Sequence, residues 1–163
     1  MMSKFFKMKG VEEDDGVINL YDERVVLFPP NIITLLGSVF GKGSKSLLVY
    51  LGKKTGRRLA ENWEEHLRPQ NLNELTQIFF EKTSIAGWGD FSVDSISENE
   101  IVATLRNNIA HSEEHPLRHV CDFLTGYLSG FGEFAMYNAK VIEEKCSVDD
   151  PSLEVCKFRI MKR

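Results

Sequence analysis

The spacing of apolar residues changes several times along the chain, and each change predicts a different element. After an acidic turn at residues 12–15, apolar and polar residues alternate weakly through residues 16–21 and 24–28, up to a pair of prolines. This pattern is typical of two short strands joined by a tight turn. Residues 31–40 are largely apolar and compatible with a helix, which the Gly-Lys-Gly segment at 41–43 interrupts.

Three further segments have apolar residues at helical spacing. Ser44 or Ser46 can cap a helix that runs toward Trp63. A capping box at residues 71–74 predicts a third helix, which ends at the Gly-Trp-Gly segment 87–89. Its expected buried face comprises Leu72, Leu75, Ile78, Phe79 and Ile85. Pro116 suits the first turn of a fourth helix, which continues to about residue 137.

Elsewhere the apolar period is two, which predicts strands. Residues 88–95 and 100–107 form one antiparallel pair, and residues 140–145 and 154–161 form a closing hairpin around a turn at 149–152. The predicted fold is therefore α+β, with an antiparallel sheet backed by helices and a C-terminal helix plus hairpin. Because no repeat, low-complexity tract or linker interrupts the pattern, we expect one domain over residues 1–163.

Composition narrows the class of protein. The chain has 163 residues, of which 42% are hydrophobic and 27% charged, as in ordinary globular domains. A net charge of −4 argues against direct nucleic-acid binding, which favours a basic surface. The apolar runs fall short of the about 20 residues that span a bilayer, and the first ten residues do not resemble a signal peptide. We therefore expect a cytoplasmic protein with no membrane span.

Several patterns with known chemistry are incomplete. The glycines, lysines and serines of residues 37–46 lack the Gly-Lys-Ser/Thr core of a phosphate-binding loop. His111, His115 and His119 recur every four residues, but Pro116 makes one helix through all three improbable. No serine or cysteine lies in a nucleophile elbow, and no pair of acids stands out. The sequence thus predicts no catalytic residue.

The three cysteines lie near the C-terminal end, where the predicted elements can bring them together. Cys146 ends one strand of the closing hairpin, Cys156 lies in the other, and a helix packed over them can deliver Cys121. Three thiolates need one more donor to complete tetrahedral zinc. Glu143 is the natural candidate, but residues three apart on a regular strand face opposite sides, and this makes Glu144 its rival.

The alternative to a metal site is ordinary core packing. Cys121 lies on an apolar stripe with Leu117, Leu124, Leu128 and Phe131, and free cysteine often behaves as a small buried hydrophobe. An odd number of cysteines in a chain without export signals does not suggest a disulfide framework. From spacing alone, both the zinc site and the core cysteines remain open.

The same residues resemble the signature of the vinyl-4-reductase-type small-molecule-binding domain. That signature is a cysteine followed by a glycine-rich amphipathic helix, a Glu-x-x-Cys, a short turn and a Cys-x-Phe. Here it corresponds to Cys121, Gly126 and Gly130, residues 143–146, and residues 156–158. The signature region covers about residues 116–163. Because the preceding helices and hairpin fit the same architecture, the resemblance implies that the whole chain is one such domain.

The resemblance also carries functional expectations. In relatives that serve as aromatic-compound sensors of transcriptional activators, the matching side chains bind zinc, which implies Cys121, Glu143, Cys146 and Cys156 as ligands. Four protein ligands leave no open position, so the zinc would be structural. The ATPase and DNA-binding domains of those sensors have no counterpart here. We therefore expect a stand-alone sensor or carrier of a small hydrophobic or aromatic ligand.

Candidate ligand-binding residues are aromatic, although each also suits a plain core: Phe79, Phe80, Trp88, Phe123, Tyr127 and Phe131. The N-terminal helices hold more apolar residues than one sheet face can cover, which predicts a homodimer: Ile32, Ile33, Leu35, Leu36, Val39 and Phe40. Two rival functions remain. One is an enzyme or accessory protein in tetrapyrrole vinyl reduction, and the other is an interaction module resembling the subunits of vesicle-tethering particles.

Overall fold

The computed structural model describes residues 7–112 and 118–163, and its elements confirm an α+β fold with antiparallel sheets backed by helices. The strands are β1 (Val11–Asp14), β2 (Val17–Leu20), β3 (Glu23–Val25), β4 (Asp90–Ile96), β5 (Glu100–Arg106), β6 (Ala139–Lys145) and β7 (Cys156–Lys162). The helices are α1 (Asn31–Phe40), α2 (Ser44–Leu67), α3 (Leu72–Ile85) and α4 (Arg118–Met136). Single 3-10 turns lie at Gly41–Gly43 and Ile109–His111.

Two antiparallel sheets organise the chain. The small N-terminal sheet has the order β1-β2-β3, and the main sheet has the order β4-β5-β7-β6. Because β7 pairs with both β5 and β6, the closing hairpin is joined to the preceding one rather than standing alone. Cys156 lies opposite Leu105 in this register, so the start of β7 is held next to the end of β5.

Helix α4 occupies the middle of the molecule. It contacts α2 on one side and β6 and β7 on the other. Its apolar residues Leu124, Leu128 and Phe131 are fully buried, as are alternate residues of the sheet such as Phe158 and Ile160. The period of two on β7 and the helical period on α4 therefore meet in one hydrophobic core.

Glycines allow α2 and α4 to approach until their backbones touch. A Cβ on Gly130 would lie 2.0 Å from the Lys53 carbonyl oxygen, and a Cβ on Gly56 would lie 2.0 Å from that of Tyr127. The same close approach recurs one turn away at Gly52 and Gly126. Since no side chain can be inserted at these positions without moving a backbone, they fix the distance between the two helices.

Several predicted boundaries differ from the structure. Part of the predicted acidic turn at residues 12–15 forms β1, an edge strand whose charged side chains point to solvent, as edge strands tolerate. Helix α2 begins after Gly43 without a side-chain cap, so neither Ser44 nor Ser46 caps it. The main sheet starts at Asp90 rather than at residue 88, and β7 starts at Cys156 rather than at residue 154.

Other predictions agree with the structure or lie outside it. The Asn71 side chain accepts a hydrogen bond from the Glu74 backbone N–H at 3.0 Å, which confirms the predicted cap of α3. On that helix Leu75 and Phe79 are buried as expected, but Leu72, Ile78 and Ile85 are only partly buried. The predicted helix start at Pro116, together with His115 and Leu117, lies outside the described residues.

An uncharged apolar surface covers α1 and the residues before it. Ile33 and Leu36 were both expected to lie on an uncovered apolar surface, but Ile33 is buried and Leu36 is partly buried. The remaining side chains of this surface are exposed: Val26, Leu27, Phe28, Ile32, Leu35, Val39 and Phe40. Val39 is 79% exposed, the largest fraction among them.

Among the described residues, the helical stretch Asn31–Leu67 is the one that is long and apolar enough to cross a membrane. Its most apolar window has a mean hydropathy of 1.3, and 22% of that window is buried. This stretch was not predicted from the sequence, because glycines, serines and a 3-10 turn interrupt its apolar runs. A core helix of a globular protein or a signal sequence can have the same length and composition.

We predict that Gly130→Ala destabilises the protein by about 1–3 kcal/mol, the usual cost of overpacking a core. Its Cβ would collide with a backbone oxygen, which cannot rotate away as a side chain could. Gly43→Ala is the matched control, because a Cβ there meets no described atom within 4 Å. Chemical denaturation of both variants checks this. Equal stability of the two variants would contradict the proposed backbone contact.

Candidate metal centre

The structure brings the four predicted metal ligands into one cluster. The sulfur atoms of Cys121, Cys146 and Cys156 and a carboxylate oxygen of Glu143 all lie within 4.8 Å of one another. Cys121 comes from the start of α4, Glu143 from β6, Cys146 from the residue after β6, and Cys156 from the first position of β7. The cluster thus joins the central helix to both strands of the closing hairpin.

A β-bulge in β6 removes the geometric objection to Glu143. Glu143 lies opposite Phe158 and Lys145 lies opposite Lys157, so Glu144 is an extra residue without a partner. An extra residue shifts the side-chain alternation of the strand beyond it by one. Glu143 and Cys146 therefore reach the same side of the hairpin although they are three residues apart.

The bulge also sends Glu144 away from the thiols. Its exposed carboxylate accepts a hydrogen bond from Arg159 Nε at 2.5 Å. That bond holds the pKa of Glu144 below its usual value. The structure thus places Glu143, and not Glu144, in the cluster.

Glu143 has one satisfied oxygen and one unsatisfied oxygen. Oε2 accepts a hydrogen bond from Arg118 Nη1 at 2.6 Å, while Oε1 is buried without a hydrogen-bond partner among the described residues. Burial raises the pKa of this carboxyl, although the bond from Arg118 opposes the shift. A buried acceptor without a donor costs free energy, so Oε1 is positioned to gain from a cation.

Hydrogen bonds distinguish the three thiols. A bond from Cys121 is the main reason that the pKa of Cys156 falls to about 5. The same bond, together with burial, raises the pKa of Cys121. Cys146 lies 3.8 Å from Cys121, measured between sulfur atoms, and accepts a hydrogen bond from Arg118 at 3.0 Å. Since the thiolate is the form that binds metals, Cys156 is the ligand best prepared for one.

Side chains around the cluster hold its sulfur atoms in place. The Asn108 amide N–H₂ donates to Cys156 at 3.3 Å and to Cys121 at 3.6 Å, while its oxygen accepts the Ala110 backbone N–H. The Ser147 backbone N–H donates to Cys156 at 3.4 Å. Asn108 and Ser147 were missed by the sequence analysis, because an asparagine before a 3-10 turn and a serine after a cysteine are common and carry no distinctive spacing.

The donor set fits a zinc ion better than a harder cation. Thiolates prefer soft or borderline metals, and three sulfur donors with one carboxylate complete a tetrahedron. Three thiolates and a carboxylate around one dication give a net charge of −2. Arg118 offsets part of it through its contacts with Glu143 and Cys146. The guanidinium also lies 3.6 Å from Asp122 and 3.5 Å from Asp149.

A polar cleft of about 490 Å³ opens beside the cluster. Two of the four cluster residues, Glu143 and Cys146, line it. The rest of the lining is mostly charged and includes Lys45, Arg118 and Asp122. This cleft connects one side of the cluster to solvent.

The predicted ligand-binding residues form a second cluster, between α3 and α4. The ring of Phe79 lies 4.1 Å from that of Phe131 and 5.1 Å from that of Tyr127, centroid to centroid. Phe80 lies 5.9 Å from Phe131, and all four rings are buried. We call these four residues the aromatic cluster.

The other two predicted residues form a less buried stack. Trp88 and Phe123 stack with centroids 5.1 Å apart and planes 12° apart, and Trp88 lies 6.2 Å from Tyr127. Both side chains are only partly buried. The structure thus brings all six predicted aromatic residues into one continuous group, with Trp88 and Phe123 as its most exposed members.

Trp63 also belongs to this group, although the sequence did not predict it. Its ring lies 5.5 Å from that of Phe79, and it is 2% exposed. Its Nε1 is buried and has no hydrogen-bond partner within residues 7–112 and 118–163. The Tyr127 hydroxyl, in contrast, is paired with that of Thr83 at 3.2 Å. Among the described residues, the aromatic group therefore contains one buried donor without a hydrogen-bond partner.

Comparison with known proteins identifies the fold through structure rather than sequence. No family model matches the sequence, and no curated protein matches it significantly. The phenol-responsive sensory domain of the transcription activator PoxR, crystallised with phenol, has a TM-score of 0.81 and 14% identity, over 94% of this chain and 85% of that one.

Two other solved structures share the fold at lower scores. A vinyl-4-reductase family protein from Methanocaldococcus jannaschii has a TM-score of 0.55 and 21% identity, over 88% of this chain and 87% of that one. A trafficking protein particle complex subunit 3 from Naegleria fowleri, covalently bound to palmitic acid, has a TM-score of 0.59 and 13% identity, over 81% and 93%. The chain thus has the fold of a vinyl-4-reductase family protein and of a phenol-responsive sensory domain.

Proposed function

We propose that this protein is a small-molecule-binding domain, a sensor or carrier of a hydrophobic or aromatic ligand, with a structural zinc. The observation that carries the ligand proposal is the unpaired indole N–H of Trp63 inside the aromatic group. The fold shared with a phenol-responsive sensory domain supports it. The proposal treats the whole chain as one domain of this kind.

The unpaired N–H gives the ligand a chemical class. A buried donor without an acceptor costs about 1–3 kcal/mol. An aromatic molecule with a hydroxyl or carbonyl oxygen would satisfy that donor and place its ring among Phe79, Tyr127 and Phe131. Because these rings are in contact, binding requires one of them to move, and the partly exposed stack of Trp88 and Phe123 is the favoured route of entry.

We predict that phenol stabilises the protein against heat more than toluene does at equal concentration, because only phenol offers an oxygen to Trp63. Trp63→Phe removes the donor and keeps an aromatic ring, so it should lower the affinity for phenol by about 2–10-fold, the value of one hydrogen bond. Binding of toluene should hardly change. Calorimetric titration and thermal shifts measure both ligands.

Trp88→Phe is the matched control, since it removes the indole N–H of a side chain that is only partly buried, and it should leave the preference for phenol intact. If neither phenol, toluene nor a wider set of phenols, fatty acids and tetrapyrroles raises the melting temperature, the ligand proposal is wrong. A ligand that binds only the folded state must stabilise it.

The proposed zinc would be bound by Cys121, Glu143, Cys146 and Cys156. The unsatisfied Oε1 of Glu143 and the low pKa of Cys156 support this assignment. With four protein donors the ion has no open position, so it would stabilise the fold rather than catalyse a reaction. It would tie α4 to the closing hairpin.

We expect about one zinc per chain in protein purified without chelators, measured by elemental analysis. Glu143→Gln should weaken zinc binding severalfold or more in a chelator competition, while Glu144→Gln should bind zinc like the wild type. Cys121→Ser should lose zinc and melt at a lower temperature. The opposite ranking of the two glutamine variants would show that Glu144 is the ligand.

Acid should release the ion. Protons compete with zinc for the thiolates and the carboxylate, so zinc affinity falls as pH decreases. The ligand with the lowest thiol pKa, Cys156, should be the last thiolate to be protonated. Retention of zinc by the folded protein at strongly acidic pH would contradict a Cys₃Glu site.

The exposed apolar surface of α1 supports a homodimer as a further part of the proposal. Leu35 and Val39 are 59% and 79% exposed, and residues 26–41 contain no charged side chain. Contiguous exposed apolar surface usually marks an interface. A second copy would cover this surface with its own α1.

We predict a dimeric mass by sedimentation at micromolar concentration and a monomeric mass for Val39→Glu. Burying a carboxylate against an apolar face is costly, so one substitution should suffice. Tyr137→Glu, an exposed aromatic residue after α4, is the control and should remain dimeric. A monomeric wild type would favour the alternative of a different protein partner, as expected for an interaction module.

A further inference from the structure

Cys146 is the thiol of the cluster that solvent can reach. It is 8% exposed, whereas Cys121 and Cys156 are 0% exposed, and it lines the 490 Å³ cleft. Small polar molecules that enter this cleft therefore meet Cys146 before they meet the other two sulfur atoms.

The surroundings of Cys146 also favour reaction at its sulfur. Arg118 donates a hydrogen bond to this sulfur at 3.0 Å, and a thiol that binds a metal ion is deprotonated, which is the reactive form. The same guanidinium can donate to the oxygen that leaves when a peroxide reacts. Cys156, by comparison, is enclosed by donors from Asn108 and Ser147.

A second thiol lies within reach of the first. The sulfur atoms of Cys121 and Cys146 are 3.8 Å apart, so a shift of about 1.8 Å brings them to the S–S bond length of about 2.05 Å. Cys146 follows the last residue of β6 and begins a turn, where a shift of this size breaks no strand pairing.

We propose that this cluster is an oxidation site, at which hydrogen peroxide or another hydroperoxide converts Cys121 and Cys146 to a disulfide and releases the zinc. The proposal rests on the zinc site proposed above. The Cys146 thiolate attacks the peroxide and breaks the O–O bond, which gives a sulfenic acid and one hydroxide ion. The Cys121 thiolate then attacks that sulfur, the S–S bond forms, and a second hydroxide leaves.

The balance of the reaction determines its effect on the metal. Two thiolates lose two electrons in total, and one peroxide gains them as its two oxygen atoms leave as hydroxide. Cys156 and Glu143 are then the two remaining ligands, too few for tetrahedral zinc. The disulfide joins α4 covalently to the residue that follows β6. Cys156 on β7 is then no longer connected to them through the metal.

The test is oxidation of the full-length, zinc-loaded protein by hydrogen peroxide in the presence of a chromogenic zinc chelator. One zinc should be released per chain, the mass should fall by two hydrogen atoms, and peptide mapping should find Cys121 joined to Cys146. Retained zinc after oxidation, a disulfide that includes Cys156, or a Cys146 sulfinic acid without a disulfide would each overturn the proposal.

Variants separate the two chemical steps. Cys121→Ser should stop at the sulfenic acid of Cys146, which dimedone traps, and Cys156→Ser should still form the disulfide. Arg118→Gln should slow the first step several-fold, while Arg118→Lys, which keeps a cation, should slow it less. Equal rates for wild type and both Arg118 variants would contradict the role of this side chain.

Elemental analysis before oxidation distinguishes failure of the zinc proposal from failure of this one. A protein that contains no zinc but forms the disulfide between Cys121 and Cys146 refutes the metal site and supports the sulfur chemistry. A protein that contains zinc and keeps it under peroxide supports the metal site and refutes the oxidation site.

Discussion

The backbone contact between α2 and α4 determines the position of everything that we associate with function. Gly126 and Gly130 let α4 lie directly against α2. Between them lies Tyr127, which points into the aromatic group, and just ahead of them lies Cys121. Because α4 carries both the Tyr127 ring and the Cys121 thiol, the distance between the aromatic cluster and the metal centre is fixed by the helix itself rather than by flexible loops.

Arg118 is the positively charged side chain in direct contact with the metal centre. Basic side chains close in sequence to the predicted ligands include Arg118, His119, Lys145 and Lys157. Of these, Lys157 pairs with Asp94, and His119 packs against Gly37 of α1. Arg118 instead contacts Glu143, Cys146, Asp122 and Asp149. A planar guanidinium with several donors suits this shared position better than a point charge would.

The sequence was sufficient for the helices, the main strands and the membership of the cysteine cluster, because these depend on periodicity and on order along the chain. It was insufficient where neighbours distant in sequence decide the outcome. Strand periodicity made Glu144 a rival to Glu143, and the resemblance favoured Glu143; the bulge that brings Glu143 to the thiols is set by pairing with β7. Whether the indole N–H of Trp63 has a hydrogen-bond partner likewise depends on every residue packed around it. The strand β1 was missed because its charges resemble a turn, whereas its edge position accommodates them.

The bulge at Glu144 makes the metal centre depend on the register of β6 with β7 more than on the composition of the strand. A regular ladder that included Glu144 would improve the backbone hydrogen bonding with β7. It would also turn Cys146 to the opposite face of the hairpin and leave Cys121, Glu143 and Cys156 as an incomplete set. Hairpin regularity and metal coordination therefore place opposing demands on this segment, and deletion of Glu144 would relieve them, because Glu143 and Cys146 would then be two residues apart and face the same side.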